Sequence, residues 1–241
     1  MSELFYLPPE KIELQEKTAV LTGGEWQHAA KVMRLKTGDE ISFFDGNGHL
    51  YSGVISSQQN KAFTIQINTI EEKTRAWQLS VFVGLSGGSK MDFIVRALTE
   101  AGATAITGFF AQYSDIKRIA AGKEERLRKI AIEACKQSER AFLPRIEMPL
   151  SFNRILESLA EFETKVVFYE RAKNFLLASA FKSKNIALVI GPKGGFSEEE
   201  IKQLQAKGVL VSSLNDAVLK VETAAITAAG LIRYFQSSSI K

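Results

Sequence analysis

Short apolar or alternating runs dominate the first third of the chain, as is typical of β-strands with one buried face. Turn residues such as Pro8-Pro9, Gly23-Gly24 and Asp45-Gly46 separate these runs. The pattern predicts a small β-barrel of about 70 residues, with one short helix at residues 25–33. The predicted strands cover residues 5–7, 18–21, 40–44, 51–56 and 61–70.

After Thr74 the rhythm changes, because strand-like apolar runs alternate with segments of helical periodicity. Such alternation predicts an α/β fold, with a mostly parallel sheet and helices on its faces. A charged stretch at residues 71–75 marks the expected boundary between domains 1–72 and 73–241. The predicted strands are 79–84, 105–110, 165–169, 186–190 and 209–214. The predicted helices are 90–101, 124–140, 152–159, 172–180, 197–207 and 222–235.

The composition is that of a globular protein, with 45% hydrophobic and 24% charged residues among 241. No run of about 18 apolar residues is present, so no membrane span is expected, and the first ten residues do not resemble a signal peptide. The single cysteine, Cys135, excludes a disulfide within the chain and favours a reducing, cytoplasmic location. We expect Cys135 to be a small buried hydrophobe and expect no metal site.

Basic residues concentrate in the later part of the chain. Residues 1–72 carry six Lys or Arg against ten Asp or Glu, whereas residues 116–145 carry nine against four. On the predicted helix, Arg126, Gln137 and Arg140 share a face with Lys129 and Glu133, opposite apolar Leu127, Ile130, Ala131 and Ala134. A local positive field favours a polyanion such as nucleic acid; an ordinary solvated face with ion pairs remains the alternative.

A glycine-rich loop, Gly191-Pro-Lys-Gly-Gly-Phe196, follows the predicted strand 186–190 directly. Ser197 and Glu200 then form a capping-box pattern that begins a helix, and Gly208 ends it. Ligands bind at this edge of open α/β sheets, although a tight turn without a ligand would have the same pattern. Neither the Walker A nor the Rossmann pattern is present, which disfavours a nucleoside triphosphatase or a NAD enzyme.

A second loop, residues 215–220, lies between the last predicted strand and the last helix. Two such loops could surround one ligand. Taken alone, a residue such as Glu222 is more often an acidic residue favoured at a helix start, and Thr223 could equally be an N-terminal hydroxyl with no further role.

Together the two loops resemble those of a known family. Residues 190–197, I-G-P-K-G-G-F-S, resemble its I-G-P-E-G-G-F-S motif, and residues 214–224, L-N-D-A-V-L-K-V-E-T-A, resemble its L-G-x-R-I-L-R-x-E-T-A motif. Similar matches lie at residues 28–39, 90–102 and 126–144. The chain therefore resembles the ribosomal RNA small-subunit methyltransferase E family of the SPOUT superfamily over nearly its whole length.

The resemblance implies a fold and a reaction. The fold is an α/β sheet with a C-terminal trefoil knot, preceded by a PUA-like β-barrel that helps to hold RNA. S-adenosylmethionine binds to the knot loops at a homodimer interface. The reaction is methylation of N3 of a uridine in 16S ribosomal RNA, so that RNA or the small ribosomal subunit is the expected partner.

The resemblance also implies site residues. Thirteen positions are expected to bind the cofactor, largely through backbone groups: Phe168, Tyr169, Glu170, Ile190, Gly191, Pro192, Gly194, Gly195, Leu214, Asn215, Val218, Leu219 and Thr223. The expected catalytic residues are Glu222, Lys220 and Arg140, the last two also as contacts to RNA phosphates. The expected RNA-binding residues are His28, Arg34, Arg126 and Gln137. The change Gly194→Val is expected to abolish cofactor binding with little loss of folding.

Four departures from the family motifs surround this site. Lys193 stands in place of Glu, Asn215 in place of Gly, Ala217 in place of Arg and Lys220 in place of Arg. Asn215 is expected to keep the turn by adopting a positive φ. Two alternatives therefore stay open: a SPOUT-fold RNA-binding or ribosome-assembly protein with impaired catalysis, and a small-molecule enzyme that uses the same cofactor.

Overall fold

The computed structural model describes residues 3–87, 90–176 and 178–238. Its contacts divide the chain into two compact units. The first unit consists of residues 1–75 and 135–143, and the second of residues 76–134 and 144–241. The first unit thus includes residues 135–143, which a single boundary at residues 71–75 would place in the second unit. The domain limits 1–72 and 73–241 stay a prediction.

One six-stranded sheet forms most of the first unit, in the order β1-β4-β5-β6-β3-β2. Only β1 and β4 pair in parallel. Every longer strand contributes side chains to a single buried cluster that includes Phe5, Phe43 and Phe63, so the sheet curls around one core. The strands are β1 Leu4–Tyr6, β2 Ile12–Glu13, β3 Thr18–Leu21, β4 Glu40–Phe44, β5 His49–Gln59 and β6 Ala62–Glu72.

The helix predicted at residues 25–33 forms in two pieces. An α-helix, α1 (Gly23–Gln27), continues into a π-helical turn at His28–Val32. Arg34 then adopts a left-handed φ of 58°, and the Leu35 amide donates to the carbonyl of Ala29 at 2.9 Å. Trp26 and Ala29 are the buried residues of this stretch, which covers the core of the sheet.

The segment 135–143 belongs to the first unit because it binds the turn between β4 and β5. The Gly48 amide donates to the carbonyl of Ala141 at 3.1 Å, and the Leu143 amide donates to the carbonyl of Gly46 at 2.9 Å. The Phe142 ring occupies space that a side chain at Gly48 would fill, since a Cβ there would lie 2.5 Å from the ring. Glycine at position 48 therefore permits this contact.

The second unit is built on a parallel sheet in the order β12-β10-β11-β7-β8-β9. Its strands are β7 Gln78–Gly84, β8 Ala105–Phe110, β9 Arg145–Ser151, β10 Thr164–Phe168, β11 Asn185–Ile190 and β12 Leu210–Ser212. Its helices are α2 Lys90–Ala101, α3 Lys123–Gln137, α4 Phe152–Ser158, α5 Glu198–Ala206 and α6 Val221–Ser238. None of the helices that the structure describes has the length and apolar character needed to cross a membrane.

Helices cover both faces of this sheet, which explains why its central strands are apolar without alternation. On one face Val167, Val189 and Phe82 pack with Ile201 of α5 and Ile155 of α4. On the other face α6 contacts β7, β11 and α2. Both faces of β11 are consequently buried, and its five residues from Ile186 to Ile190 are each 2% exposed or less.

The structure of this unit departs from the sequence analysis in three places, of which two are wrong predictions. Residues 145–151 form the edge strand β9, which the sequence does not indicate. The predicted helix 124–140 ends at Gln137, because Glu139 adopts a left-handed φ of 54°, so Arg140 does not continue the helix face. The predicted helix 172–180 is absent from the residues described there, apart from a 3-10 turn at Ala178–Phe181; residue 177 lies outside the described residues.

Local pairing explains why the segment after β10 is not helical. The Asn174 carbonyl accepts hydrogen bonds from the Ser213 amide at 2.9 Å and from the Ser212 hydroxyl at 3.0 Å. The Asn174 side-chain amide donates to the carbonyl of Val211 at 3.1 Å. These long-range bonds occupy the polar groups that a helix would use within itself.

The predicted capping box at the start of α5 is confirmed. The Glu200 amide donates to Ser197 Oγ at 3.2 Å, and the Ser197 amide donates to Glu200 Oε2 at 3.0 Å. The helix ends at Ala206, and Gly208 follows with a left-handed φ of 75°. Because Ser197 and Glu200 are both buried, the two bonds fix where the glycine-rich loop meets the helix.

We predict that Ser197→Ala lowers the free energy of unfolding by about 1–2 kcal/mol, because a buried amide loses its acceptor. Urea titration monitored by circular dichroism measures this change. The control is Ser237→Ala at an exposed position of α6, for which we expect a change within about 0.5 kcal/mol. Equal effects of the two variants would show that the capping box is dispensable.

Candidate functional site

Three loops meet at one edge of the parallel sheet of the second unit. The strands β12, β10 and β11 are neighbours, and the loops that follow them begin after residues 212, 168 and 190. Since the carboxyl ends of parallel strands lie at the same edge, the three loops come together there. They line a cavity of about 360 Å³.

The cavity includes twelve of the thirteen residues expected to bind the cofactor. The exception is Thr223, whose side chain is exposed on the first turn of α6. The cavity also contains residues that were not expected to bind the cofactor. These are Lys90, Lys193, Phe196, Ser213, Ala217, Lys220, Val221 and Ala224. Lys90 belongs to a segment that resembles the family, and this resemblance could have identified it.

The glycine-rich loop is held against neighbouring backbone where no side chain fits. A Cβ at Gly84, the last residue of β7, would lie 2.3 Å from the nitrogen of Pro192. Gly195 has a left-handed φ of 74°, and a Cβ there would lie 2.9 Å from Glu170 Oε1. Glycine at position 84 thus lets the backbone of the loop pack closely against β7, while Gly195 permits a left-handed turn beside the Glu170 carboxylate.

Gly194 plays a structural part that the sequence does not reveal. A Cβ at this position would lie 2.7 Å from Tyr113 Cβ and 2.8 Å from the Tyr113 carbonyl oxygen. The expectation that Gly194→Val leaves folding almost unaffected is therefore wrong, because the added side chain would collide with the main chain of Tyr113.

The loop after β12 is an Asx turn. Asn215 Oδ1 accepts a hydrogen bond from the Ala217 amide at 2.6 Å, and the Ser213 hydroxyl donates to the Asn215 carbonyl at 2.7 Å. Asn215 is not among the residues with positive φ, so the expectation of a left-handed conformation is wrong. The asparagine side chain stabilises the turn where the family motif has glycine.

Glu222 presents a buried carboxylate oxygen near the cavity. Its Oε2 is inaccessible to solvent and has no hydrogen-bond partner among the described residues. Glu222 itself does not line the cavity, but its neighbours Val221 and Ala224 do. An unpaired buried carboxylate oxygen is costly, which makes Glu222 a candidate for contact with a bound proton donor.

The charged residues around the cavity are mostly basic. Lys90, Lys193 and Lys220 line it, and Glu170 is the acidic residue among the lining residues. Lys193, which stands in place of the family's glutamate, is exposed and lines the cavity, whose volume is about 360 Å³. The cavity therefore combines a positive rim with a floor made of backbone and apolar side chains.

Among the expected RNA-binding residues, Arg126 lies in the second unit. Its guanidinium pairs with the Asp92 carboxylate, which also accepts from Lys123 Nζ at 2.7 Å. The side chain of Arg126 remains 66% exposed, so it can still reach a ligand. Leu127, Ala131 and Ala134 are buried beneath it, as the helical pattern predicts.

The other expected RNA-binding residues lie in the first unit. His28 pairs with Glu3 through Nε2, and Arg34 and Gln137 are exposed. Arg140 follows the end of α3, and its amide donates to the Cys135 carbonyl at 2.9 Å. Cys135 is fully buried, and burial raises the pKa of its thiol to about 12. The prediction that Cys135 is a buried hydrophobe is confirmed.

Comparisons with known sequences all match RNA methyltransferases. A family model described as an RNA methyltransferase domain matches residues 72–233, and one described as an RNA methyltransferase PUA domain matches residues 21–68. A ribosomal RNA small subunit methyltransferase E from Bacillus subtilis is 30% identical, covering 95% of this chain and 95% of its own. The Synechocystis protein of that name is also 30% identical, and the match covers 93% of this chain and 75% of the Synechocystis protein.

A solved structure adds a likeness in three dimensions. A Legionella pneumophila protein described as a methyltransferase, in complex with S-adenosylmethionine, superposes with a TM-score of 0.85 at 26% identity. The likeness covers 97% of this chain and 98% of the other. The predicted fold class, a mostly parallel α/β sheet with a PUA-like N-terminal unit, is confirmed, while the trefoil knot stays a prediction.

We predict that Gly84→Ala lowers the free energy of unfolding by about 1–3 kcal/mol, because its methyl group would overlap the backbone of Pro192. Thermal and urea unfolding measure the effect. The control is Gly24→Ala, since a Cβ at Gly24 has no atom within 4 Å. A stability of Gly84→Ala equal to that of the control would mean that the loop is not packed against β7.

Proposed function

Because the chain belongs to the ribosomal RNA small-subunit methyltransferase E family, we propose that it transfers the methyl group of S-adenosylmethionine to N3 of a uridine in 16S ribosomal RNA. It is an RNA methyltransferase. The observation that carries this proposal is the convergence of the loops after β10, β11 and β12 on one cavity. Residues of both family motifs that follow strands line this cavity, namely 190–196, 214–215 and 217–221.

The cavity residues fit the chemistry of this cofactor. Its adenine is flat and uncharged, and the loops offer backbone groups together with the apolar side chains of Leu214 and Leu219. Its amino acid end carries a carboxylate and an ammonium group, for which lysines and the carboxylate of Glu170 are suitable partners. When bound, the cofactor supplies an electrophilic methyl group on a sulfonium.

The residues of the chain would supply orientation and charge. Uracil N3 carries a proton that must leave before or during attack, and negative charge develops on the base carbonyls. We assign Glu222, with its unpaired buried oxygen, to hold or accept that proton. We assign the Lys220 ammonium, which lines the same cavity, to stabilise the negative charge. Positioning of base and methyl donor would account for much of the acceleration.

RNA binding is part of the same proposal. Exposed basic side chains neutralise phosphates and fix the position of the RNA without reading its bases. We assign Arg126 this role, with Arg34, His28, Gln137 and Arg140 as further contacts. A base inside folded RNA must leave its stack to reach the methyl group. We assign the assembled small subunit, in the cytoplasm, as the source of such a base.

We also propose a homodimer, in which a second copy covers the exposed face of α6. Tyr234 is 69% exposed and Leu231 is 36% exposed on this helix, and Phe93 of the neighbouring helix α2 is 53% exposed. Several exposed large apolar side chains on two packed helices favour a protein interface.

The alternative is an RNA-binding or ribosome-assembly protein of the same fold with impaired catalysis. Ala217 favours it, because the family motif places an arginine there and alanine lacks both its charge and its donors. Cofactor binding does not separate the two functions, since an inactive enzyme can retain it. Product analysis does separate them.

We predict that the protein and labelled S-adenosylmethionine convert one uridine of 16S RNA in small subunits to 3-methyluridine, as read by nuclease digestion and mass mapping. Glu222→Gln should lower the rate by at least about 100-fold, the usual contribution of an acid–base residue. The control, Glu199→Gln, changes an exposed acid at the start of α5 and should keep the rate. Cofactor binding without any labelled nucleotide would favour the alternative.

We predict that Tyr234→Glu converts the dimer to a monomer, because a charge would be buried at the interface. Sedimentation equilibrium measures the mass. Leu210→Glu, at a 41% exposed position on the edge strand β12, is the control and should remain dimeric. A wild-type monomer, or a Tyr234→Glu dimer, would contradict the proposed interface.

A further inference from the structure

Arg140 has an unusual environment in the first unit. It follows the end of α3, where a backbone hydrogen bond to Cys135 fixes its position. Its Nε is inaccessible to solvent and has no hydrogen-bond partner among the described residues. A charged donor that is buried without an acceptor is unfavourable unless a ligand provides one.

Arg75 lies close to the same place, although 65 positions separate it from Arg140 in the sequence. Its guanidinium carbon lies 4.2 Å from the centre of the Phe142 ring. Phe142 packs on Gly48, and the Lys73 amide donates to the Gly48 carbonyl at 2.8 Å. The turn at residues 46–48 thus anchors both arginines, because residues 141–143 and residue 73 all bind it.

Arg75 stacks on Phe142, which lies two positions after Arg140, so the two arginines are close to each other in the first unit. Burial and the charge of Arg140 both lower the pKa of Arg75, and burial lowers the pKa of Arg140. In the described part of the chain, neither guanidinium takes part in any of the salt bridges found. The acidic residue of the turn, Asp45, already accepts from the Asn47 amide and from His49 Nδ1, each at 2.7 Å.

The stacking of Arg75 leaves its donors free. A guanidinium that lies over an aromatic ring uses its face, so the N–H groups at its edge remain available to an anion. Arginine forks match the geometry of phosphate oxygens and bind them through paired charge-assisted hydrogen bonds. One phosphate between the two arginines would satisfy the buried Nε and remove the repulsion at once.

We propose that Arg75 and Arg140 together bind a single phosphodiester group of the substrate RNA. We call this pair the arginine clamp. The inference rests on the proposed function, because it takes RNA as the substrate, and it adds Arg75 as a binding residue outside the family motifs. The clamp is built entirely within the first unit, so it would hold RNA independently of the cofactor cavity.

Binding of 16S RNA or small subunits to the full-length protein tests the clamp over a series of salt concentrations. We expect Arg75→Ala to weaken binding by roughly tenfold and to reduce the salt slope by about one phosphate. Because both arginines would hold one phosphate, the double variant Arg75→Ala/Arg140→Ala should reduce the slope by about one as well, not by two. Arg75→Lys should restore the slope and only part of the affinity.

The controls separate the clamp from a failure of the proposed function. Arg154→Ala removes an exposed arginine that pairs with Glu157 at 2.9 Å, and it should leave the affinity and the slope unchanged. All variants should bind S-adenosylmethionine as the wild type does. Arg75 is a solvent-exposed residue whose guanidinium is only partly covered, by the Phe142 ring, so Arg75→Ala should fold normally and remain informative even if Arg140→Ala does not.

Several outcomes would overturn the clamp. An unchanged salt slope in Arg75→Ala, while the wild type methylates RNA, would remove Arg75 from the RNA surface without affecting the proposed function. Additive slope changes in the double variant would mean that the arginines bind separate phosphates. Inorganic phosphate gives a further test. If it saturates the site in the wild type but does not weaken RNA binding, the arginine pair binds a free anion and not the RNA.

Discussion

The parallel pairing of β12, β10 and β11 is the constraint on which the rest of the site depends. Parallel neighbours have their carboxyl ends at one edge, so the loops after them must share that edge. Residues that lie far apart in the sequence, such as Phe168, Gly191 and Leu219, consequently line one cavity. The position of the cavity therefore follows from the order of the parallel strands, and the loops after these strands provide the groups that contact a ligand.

Close backbone packing then gives the cavity its form. Gly84 lets main-chain atoms approach where a side chain would collide, Gly195 permits a left-handed turn, and the Asx turn at Asn215 stabilises the loop after β12. This arrangement suits a cofactor held largely by backbone groups, because backbone positions tolerate changes such as Glu to Lys at position 193. The side chains that distinguish catalysis from mere binding are few, and Glu222 and Lys220 are the ones that we assign.

The sequence predicts most of the sheet and twelve of the residues that line the cavity, because buried parallel strands are apolar throughout and the loop motifs adjoin them. It does not predict β9, an edge strand whose exposed residues, such as Arg145 and Ser151, break the apolar pattern. It misassigns residues 172–180, because the bonds of Asn174 to residues 211–213 are long-range. The sequence does not predict the arginine clamp either, because the contact between Arg75 and Phe142 is also long-range in the sequence.

Hydrogen–deuterium exchange with and without S-adenosylmethionine is the most direct measurement of the central claim, that three strand-end loops enclose one ligand. The account predicts that the cofactor slows exchange together in residues 168–170, 190–196 and 213–221, with little change in β3 or β5 of the first unit. Slowed exchange in only one of these loops, or mainly in the first unit, would contradict the shared cavity as the cofactor site.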